Sequence, residues 1–291
     1  DDTVNYETVT GETAGTLVIQ QAATTTAVTC GAGPFVYTGA AITPCAANVT
    51  GAGGLNQNVT VVYAGNVNAG TASASAAFAG DTNHLPSGDA KGFTIDKADP
   101  TLSITNSPAD YDGTPKAANV VGSVPGTASN LTYNTVGAAP TDAGTYAVNA
   151  DFLPQDIDNY NSLTGAAAGN FVIQKAGVPT LAVSNSPVVF NGAEQAAIVV
   201  GSVPGTASNV LYNGSATVPT DAGSYVITAD FVPDDVVNYD TVTGATAGTL
   251  VIEQAETATT VTCAAGPFTY SAAAITPCTA AVSGPGGLSL A

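Results

Sequence analysis

The chain of 291 residues contains no Arg, no Met and no Trp, and it has only four Lys and one His. Its formal net charge is −18, so it lacks the clustered cations that bind nucleic-acid phosphates or anionic membrane surfaces. No apolar run approaches the roughly 18 residues that a membrane-spanning helix needs. We therefore expect no nucleic-acid partner and no membrane span in this segment.

The scarcity of His and Arg also bears on catalysis. The single His84 and four Cys that fall into two pairs leave no nucleophile, base and orienting group in a recognisable arrangement. Ser and Thr are abundant, but no partner base accompanies them. We therefore expect that the chain is not an enzyme, and that it holds no catalytic residue and no cofactor. A packed or surface role is the interpretation we favour for His84.

An internal repeat with an offset of 233 residues dominates the sequence. Residues 1–19 match residues 234–252, and the same offset relates later motifs. Within this super-repeat we distinguish two types of repeat, A and B. The predicted division is the C-terminal part of an A repeat at 1–21, a B repeat at 22–97, A repeats at 98–175 and 176–254, and a half B repeat at 255–291.

Each repeat consists of short apolar stretches separated by Gly, Pro and Asn turns, which predicts an all-β fold. The clearest signal is a turn followed by a strand at residues 141–152, and it recurs at residues 220–231. Apolar and polar residues alternate along the strand, which indicates one buried face. No stretch keeps a helical period, so we expect almost no helix. In the first A repeat we predict strands at Leu102–Thr105, Ala118–Val121, Leu131–Tyr133, Thr145–Phe152 and Phe171–Gln174.

The entrance of that long strand carries the motif Asp-x-Gly-x-Tyr. It resembles the tyrosine corner of immunoglobulin-like sandwiches, in which the Tyr hydroxyl bonds to nearby backbone. The residues are Asp142, Gly144 and Tyr146 in the first A repeat and Asp221, Gly223 and Tyr225 in the second. The resemblance implies small Ig-like β-sandwich domains. Because no Gly/Ser spacer separates the repeats, we expect a tandem array that forms an elongated, semi-rigid rod.

The four Cys form two identical pairs, Cys30 with Cys45 and Cys263 with Cys278, each 15 residues apart inside one B repeat. Zinc sites use closely spaced Cys with His, which these pairs lack. We predict two disulfides and hence an oxidising, extracytoplasmic compartment, with buried free thiols as the alternative. In the B repeat Ala72 stands in place of the corner Tyr, so we infer that the disulfide supplies the missing anchor.

Carboxylates cluster in the loops that follow the long strands. They are Asp151, Asp156 and Asp158 in the first A repeat and Asp230, Asp234 and Asp235 in the second. Such oxygen ligands suit Ca²⁺, although the spacing is not that of an EF-hand loop and Val237 replaces one of the carboxylates. We favour a solvated acidic loop with Asx turns, and a weak calcium site is the alternative.

Several motifs give the chain a family resemblance. The A repeats resemble the MBG/YDG-type repeats of large bacterial surface proteins through residues 111–116, 140–146 and 158–160. The B repeats resemble the bacterial Ig-like repeats that accompany them through residues 35–39, 51–55 and 68–72. This resemblance implies secreted tandem-repeat adhesins, stalks or sheath fibres, and it carries over no catalytic or binding residue.

We therefore expect a structural segment of an extracellular bacterial surface fibre, stalk or filament. The alternative is an adhesin module that binds a glycan or protein ligand, although a chain without Trp lacks the usual platform for sugar stacking. The partial repeats at 1–21 and 255–291 do not complete each other, so we expect the covalent chain to continue beyond both ends. We also expect lateral self-association into a fibre.

Overall fold

The computed structural model describes residues 4–7, 10–11 and 13–291, and this part of the chain is all-β, which confirms that prediction. The described residues contain no α-helix, and two 3₁₀ turns lie at Ala52–Gly54 and Pro285–Gly287. In the same described part, no helix has the length and hydropathy that crossing a bilayer requires. The partial A repeat predicted at 1–21 lies partly outside the described residues.

Residue contacts divide the chain into two compact units, and each is described by itself. The first contains residues up to 103 together with 120–131 and 150–168. The second contains residues 104–119, 132–149 and 169–291. The division falls inside the first predicted A repeat, and the repeat boundaries drawn from the sequence stay a prediction.

The complete B repeat belongs to the first compact unit and contains seven strands. They are β1 (Thr24–Cys30), β2 (Phe35–Val36), β3 (Cys45–Gly51), β4 (Leu55–Val59), β5 (Val62–Ala64), β6 (Gly70–Phe78) and β7 (Ser87–Asp96). One sheet has the order β1-β3-β4, and the other has the order β2-β7-β6-β5 with β2 parallel to β7. The antiparallel register of β1 and β3 places Cys30 opposite Cys45.

The core of this B repeat is built from short side chains. On β6, Ala72, Ala74 and Ala76 are buried while the residues between them are exposed, which is the two-residue period of a strand with one buried face. Ala74 and Ala76 pack in one cluster with Val28 of β1 and Ala47 of β3. Short side chains bury little apolar surface, so covalent and polar anchors carry more of the stability here.

The two A repeats contain six strands each, at corresponding positions. The first has β8 (Leu102–Ile104), β9 (Ala109–Asp110), β10 (Val120–Gly122), β11 (Gly126–Tyr133), β12 (Gly144–Pro154) and β13 (Leu163–Gln174). The second has β14 (Leu181–Val183), β15 (Val188–Val189), β16 (Val199–Gly201), β17 (Gly205–Tyr212), β18 (Gly223–Pro233) and β19 (Val242–Glu253). The half B repeat has β20 (Ala258–Cys263), β21 (Cys278–Gly284) and β22 (Leu288–Leu290).

The second A repeat lies wholly in the second compact unit and shows how an A repeat is built. Strands β14 and β16 form one sheet, and β15-β19-β18-β17 form the other, with β15 parallel to β19. Ile227 of β18 packs with Leu250 and Ile252 of β19 and with Tyr212 of β17 in one buried cluster. The long antiparallel pair β18–β19 is therefore the main support of this repeat.

The strand predicted at 145–152 lies within β12, but the one predicted at 171–174 covers only the end of β13. Residues 165–169 read Gly-Ala-Ala-Ala-Gly, a composition with low β propensity. In the second A repeat the corresponding part of β19 pairs with β18 through a ladder with two register shifts. Ladder hydrogen bonds to a neighbouring strand thus extend a strand that local propensity does not predict.

Candidate functional site: the joint between successive repeats

The predicted tyrosine-corner residues come together at the entrance of the long strands. The hydroxyl of Tyr146 donates to the backbone oxygen of Asp142 at 2.8 Å, and that of Tyr225 donates to Asp221 at 2.9 Å. In both repeats a Cβ on the motif glycine would lie 3.4 Å from the hydroxyl oxygen, an ordinary van der Waals contact, so the ring lies directly beside the turn. The Tyr225 ring packs against the buried cluster of its repeat.

In the second compact unit, an Asn from the following repeat binds the corner turn. Asn238 Oδ1 accepts the backbone N–H of Ala143 at 2.6 Å, and its Nδ2 donates to Asp142 Oδ1 at 3.1 Å. The backbone oxygen of Asn238 accepts the N–H of Ala176, in the connecting segment, at 2.9 Å. Asn238 is only 4% exposed, so these bonds satisfy an amide that is shielded from water.

A carboxylate fixes the orientation of this Asn. Asp235 accepts the backbone N–H of Asn238 at 3.1 Å and its Nδ2 at 2.8 Å. Because the NH₂ group must face the carboxylate, the amide oxygen is left to face the N–H of Ala143. Asp235 therefore positions the group that binds the preceding repeat.

Two tyrosine rings add an apolar contact to the same joint. Tyr239, the residue after Asn238, meets Tyr111 edge to face, with ring centroids 5.7 Å apart and planes at 84°. Such pairs contribute about 0.5–1.5 kcal/mol beyond area burial. Burial raises the pKa of Tyr111, and the nearby Tyr239, Asp235 and Asp142 add to that rise. The Tyr111 ring therefore stays neutral at physiological pH.

A Lys directly after β13, and another directly after β7, complete the two joints. Lys175 Nζ donates to the backbone oxygens of Val236 at 2.9 Å and Tyr239 at 3.3 Å, and it lies 3.3 Å from Asp240 Oδ1. Lys97 Nζ donates to a backbone oxygen of the corresponding loop at 2.6 Å. These cations hold the loop that carries the joint Asn close to the connecting segment.

The first compact unit contains the same joint between the B repeat and the first A repeat. Asn159 Oδ1 accepts the backbone N–H of Ala69 at 2.8 Å, while Asp156 accepts the Asn159 N–H at 3.1 Å and its Nδ2 at 2.9 Å. Tyr160 meets Tyr37 edge to face with centroids 5.4 Å apart. The Asn, the carboxylate and the ring pair thus recur with the same roles.

Four of the six candidate calcium ligands have structural roles, which are of two kinds. Asp151 accepts hydrogen bonds from Asn130 Nδ2 and the Gly165 N–H, each at 2.7 Å, and the bond from Asn130 is the main cause of its lowered pKa. Asp230 likewise accepts bonds from a side-chain amide and a backbone N–H, and its pKa is lowered too. Asp156, whose pKa the Asn159 side chain lowers, orients the joint as Asp235 does.

The two remaining candidates, Asp158 and Asp234, are exposed. Among the described residues, no group of three or more His, Cys, Asp or Glu side chains could hold a metal ion. Side-chain amides donate to four of the suggested carboxylates, which are Asp151, Asp156, Asp230 and Asp235. The weak calcium site stays a prediction.

Disulfides join Cys30 to Cys45 and Cys263 to Cys278, with Cα atoms 3.9 Å apart in both. The first of these packs against the buried cluster of its B repeat. Tyr63 anchors the same point, because its hydroxyl accepts the Cys45 N–H and donates to the Cys45 oxygen, each at 2.8 Å. The B repeat therefore has both a disulfide and a tyrosine anchor.

Reasoning from the sequence missed this second class of tyrosine. The Tyr133 hydroxyl accepts the N–H of Ala118 at 2.8 Å, and the Tyr212 hydroxyl accepts that of Ala197 at 3.0 Å. Both rings are buried at the end of a strand. Their recurrence 79 residues apart was the available signal.

His84 occupies the ring position of the joint loop in the B repeat. Its Nε2 donates to the backbone oxygen of Ala52 at 2.9 Å, and its Nδ1 lies 2.8 Å from Asp81 Oδ1. Because acceptors face both nitrogens, the imidazolium fits this site better than neutral imidazole. The bond to Ala52, and then that to Asp81, raises the pKa of His84. His84 is partly buried, and its contacts with Asp81 and Ala52 give it a structural role.

These features define a protein of tandem β repeats whose successive members are joined by a recurring polar and aromatic contact. The model of the MBG domain matches residues 100–177 and 180–256. The two matches cover more than half of the chain, so the chain belongs to the MBG domain family, and the predicted resemblance to MBG repeats is confirmed. No curated protein matches the chain. The repeats suggest a surface-protein repeat region, and with the disulfides they are consistent with an extracellular surface protein.

Proposed function

We propose that this segment is a structural spacer in a secreted bacterial surface fibre, stalk or filament. In this proposal the repeats are small Ig-like β-sandwiches, the B repeats are bacterial Ig-like repeats, and the array is an elongated, semi-rigid rod. The supporting observation is the joint, which recurs with the same partners around Asn159 and Asn238.

The joint contacts favour stiffness for a physical reason. Bending at Asn238 breaks hydrogen bonds to Ala143 and Asp142 and separates the Tyr111–Tyr239 pair. Leaving such a buried polar group unpaired costs about 1–3 kcal/mol. A flexible Gly/Ser linker would impose no such cost, and its orientation would be random. A spacer gains reach from joints that resist bending.

The proposal assigns no catalytic role, no cofactor and no bound metal to this segment. Its only His is held by Asp81 and Ala52, and its Cys side chains are in disulfides. Disulfides persist outside the cytoplasm, which favours the extracellular placement. Continuation of the chain into further repeats and lateral self-association are part of the same proposal.

Immunogold labelling of intact bacteria that carry the protein tests the spacer role. Antibody against the half B repeat should label a layer outside the cell surface, at a measurable distance from it. Deleting one A repeat, residues 98–175, should bring the label closer, since each repeat adds length. Label that stays at the same distance, or appears only after permeabilisation, would overturn the proposal.

A glycan and host-protein array separates this role from the adhesin alternative. The spacer proposal expects no saturable binding by the chain at micromolar concentration. Saturable binding that a substitution within one repeat removes would instead assign the repeats a ligand.

A further inference from the structure

The complete B repeat contains a long stretch without charge, in a chain that is strongly acidic. Residues 13–80 contain no Asp, Glu, Lys, Arg or His, although the chain has a formal net charge of −18. This stretch includes all of the strands from β1 to β6. Two copies of so acidic a chain repel each other where their charges lie within about 8 Å, the screening length at physiological salt. The charge-free strands are therefore a part of the B repeat where two copies can touch with little repulsion.

The sheet of β1, β3 and β4 has two edges, and side chains of β7 close the edge at β1. The backbone N–H of Val28 in β1 donates to Asp89 Oδ2 at 2.8 Å. The hydroxyls of Thr26 and Ser87 lie 2.8 Å apart beside it. A charge that points inward at an edge is one of the means by which proteins prevent an edge strand from pairing with another chain.

The edge strands β11 and β17 of the A repeats are protected by irregularities. In the second A repeat, the pairing of β17 with β18 changes register after Ser208. Asn209 lies at this change with a φ of 49°, and its side-chain amide donates to Asp230. In the first A repeat, Asn130 has a φ of 51° and donates to Asp151 at 2.7 Å. Such an irregularity interrupts the regular row of backbone groups with which a second strand would pair.

Strand β4, at the other edge of the B-repeat sheet, has none of these protections. It pairs with β3 in an unbroken register over Leu55–Val59, and it contains neither Pro nor a charged residue. Alternate residues of an antiparallel strand direct their backbone groups to opposite sides, so part of these groups face away from β3. In the described part of the chain, β4 makes no backbone-to-backbone hydrogen bond outside its ladder, and residues 56–58 are exposed. Another strand can therefore pair with this edge.

We propose that two copies of the chain pair through their β4 strands, which run antiparallel about a two-fold axis at Gln57. This pairing rests on the lateral self-association in the proposed function and assigns it a surface. An antiparallel edge is complementary to itself about such an axis, since each copy offers the same donors and acceptors. Gln57 then lies opposite the second copy's Gln57, and Asn56 lies opposite its Asn58. Side-chain amides both donate and accept, so they add hydrogen bonds across the new strand pair.

The pairing of one B repeat with another is expected to be weak by itself, because β4 has only five residues. In the proposed fibre, successive B repeats of two neighbouring chains pair side by side. Once the first pair has formed, the next ones form at a high effective concentration, so weak contacts add up to stable lateral association. The isolated segment must therefore be studied at high concentration.

Sedimentation velocity of the intact chain at concentrations up to about 1 mM tests the pairing. The wild-type chain should sediment faster as its concentration rises. The Gln57→Lys chain should associate at least about fivefold more weakly, because two like charges then lie opposite each other. Thr29→Lys is the matched control, since it adds the same charge to an exposed position of β1, at the other edge of the same sheet. It should associate like wild type.

A charge swap tests the two-fold axis itself. Gln57→Glu alone should also associate more weakly than wild type. An equal mixture of the Gln57→Lys and Gln57→Glu chains should associate at least as strongly as wild type, because opposite charges then meet across the axis. Recovery in the mixture also shows that both variants fold.

Three results would overturn the pairing through β4. They are equal association of wild type and Gln57→Lys, a mixture of the two charge variants that shows no recovery, and a wild-type chain that is monomeric at every concentration. None of them contradicts the spacer role, which the immunogold distances test separately.

Discussion

At the residue scale, close packing between glycine and aromatic rings shapes the A repeats. A Cβ placed on Gly122 would overlap the ring of Phe152, and one on Gly201 would overlap Phe231. Both Phe side chains are fully buried. The ring of each long strand thus lies where only a hydrogen atom separates it from the neighbouring backbone, so glycine there is a packing requirement rather than a turn signal.

We predict that Gly122→Ala destabilises the first A repeat by about 1–3 kcal/mol, the usual cost of overpacking a core. Hydrogen exchange of β12 measures the change. Gly137→Ala is the matched control, because a Cβ there meets nothing within 4 Å and should leave exchange unchanged. Similar exchange rates in the two variants would show that the Phe152 ring moves aside.

His84 makes the complete B repeat sensitive to pH. Its folded-state pKa is raised above the ordinary 6.5, so the stability it contributes is complete below about pH 6.5 and is lost as pH rises through the folded value. We predict a lower melting temperature for the B repeat at about pH 8.5 than at about pH 6, measured by calorimetry. Carboxylates do not titrate in that window.

His84→Tyr is the control for this prediction, because Tyr stands at the corresponding position of both A repeats. The variant should show little change between the two pH values. A B repeat that becomes more stable at the higher pH would contradict the assignment of His84 as a protonated anchor.

At the scale of elements, the carboxylates of the acidic loops have two different structural roles, which the sequence alone does not distinguish. Asp151 holds Asn130 and Gly165, both of which have positive φ, and so secures an irregularity of the sheet. Asp156 orients Asn159 toward the preceding repeat. Each carboxylate therefore has its donors supplied by the chain, which leaves little reason for a cation to bind strongly.

We predict that these loops bind calcium weakly at most. Adding a chelator should lower the melting temperature of the chain by less than about 2 °C, well below the shift that a stabilising ligand gives at saturation. Calorimetry with and without chelator, and with added Ca²⁺, measures this. A loss of many degrees, reversed by Ca²⁺ but not by Mg²⁺, would assign a calcium site to the loops.

The sequence predicted the elements better than their contacts. Alternation between residues 145 and 152 indicates the long strand, and the motif from Asp142 to Tyr146 indicates its corner, because both signals are local. The joint is not local, since Asn238 and Ala143 are 95 residues apart. Composition suggested an acidic loop around Asn238 and did not show that its amide binds the preceding turn.

At the scale of the whole molecule, one joint recurs at successive repeats. The joint Asn, the carboxylate that orients it and the ring pair appear at Asn159 in the first compact unit and at Asn238 in the second. Repeats that contact mainly their neighbours gain stiffness and stability from such nearest-neighbour terms. A mutation at a joint is therefore expected to act on orientation more than on the fold of either repeat.

Small-angle X-ray scattering of the chain carrying Asn159→Ala and Asn238→Ala tests this most directly, with Asn170→Ala as a control because Asn170 is exposed on β13. We predict that wild type and the control scatter as a stiff particle. The double variant should show the high-angle rise of a flexible chain and a broader distribution of interatomic distances, while its circular dichroism stays unchanged. Identical scattering from wild type and the double variant would contradict the claim that the joints fix successive repeats.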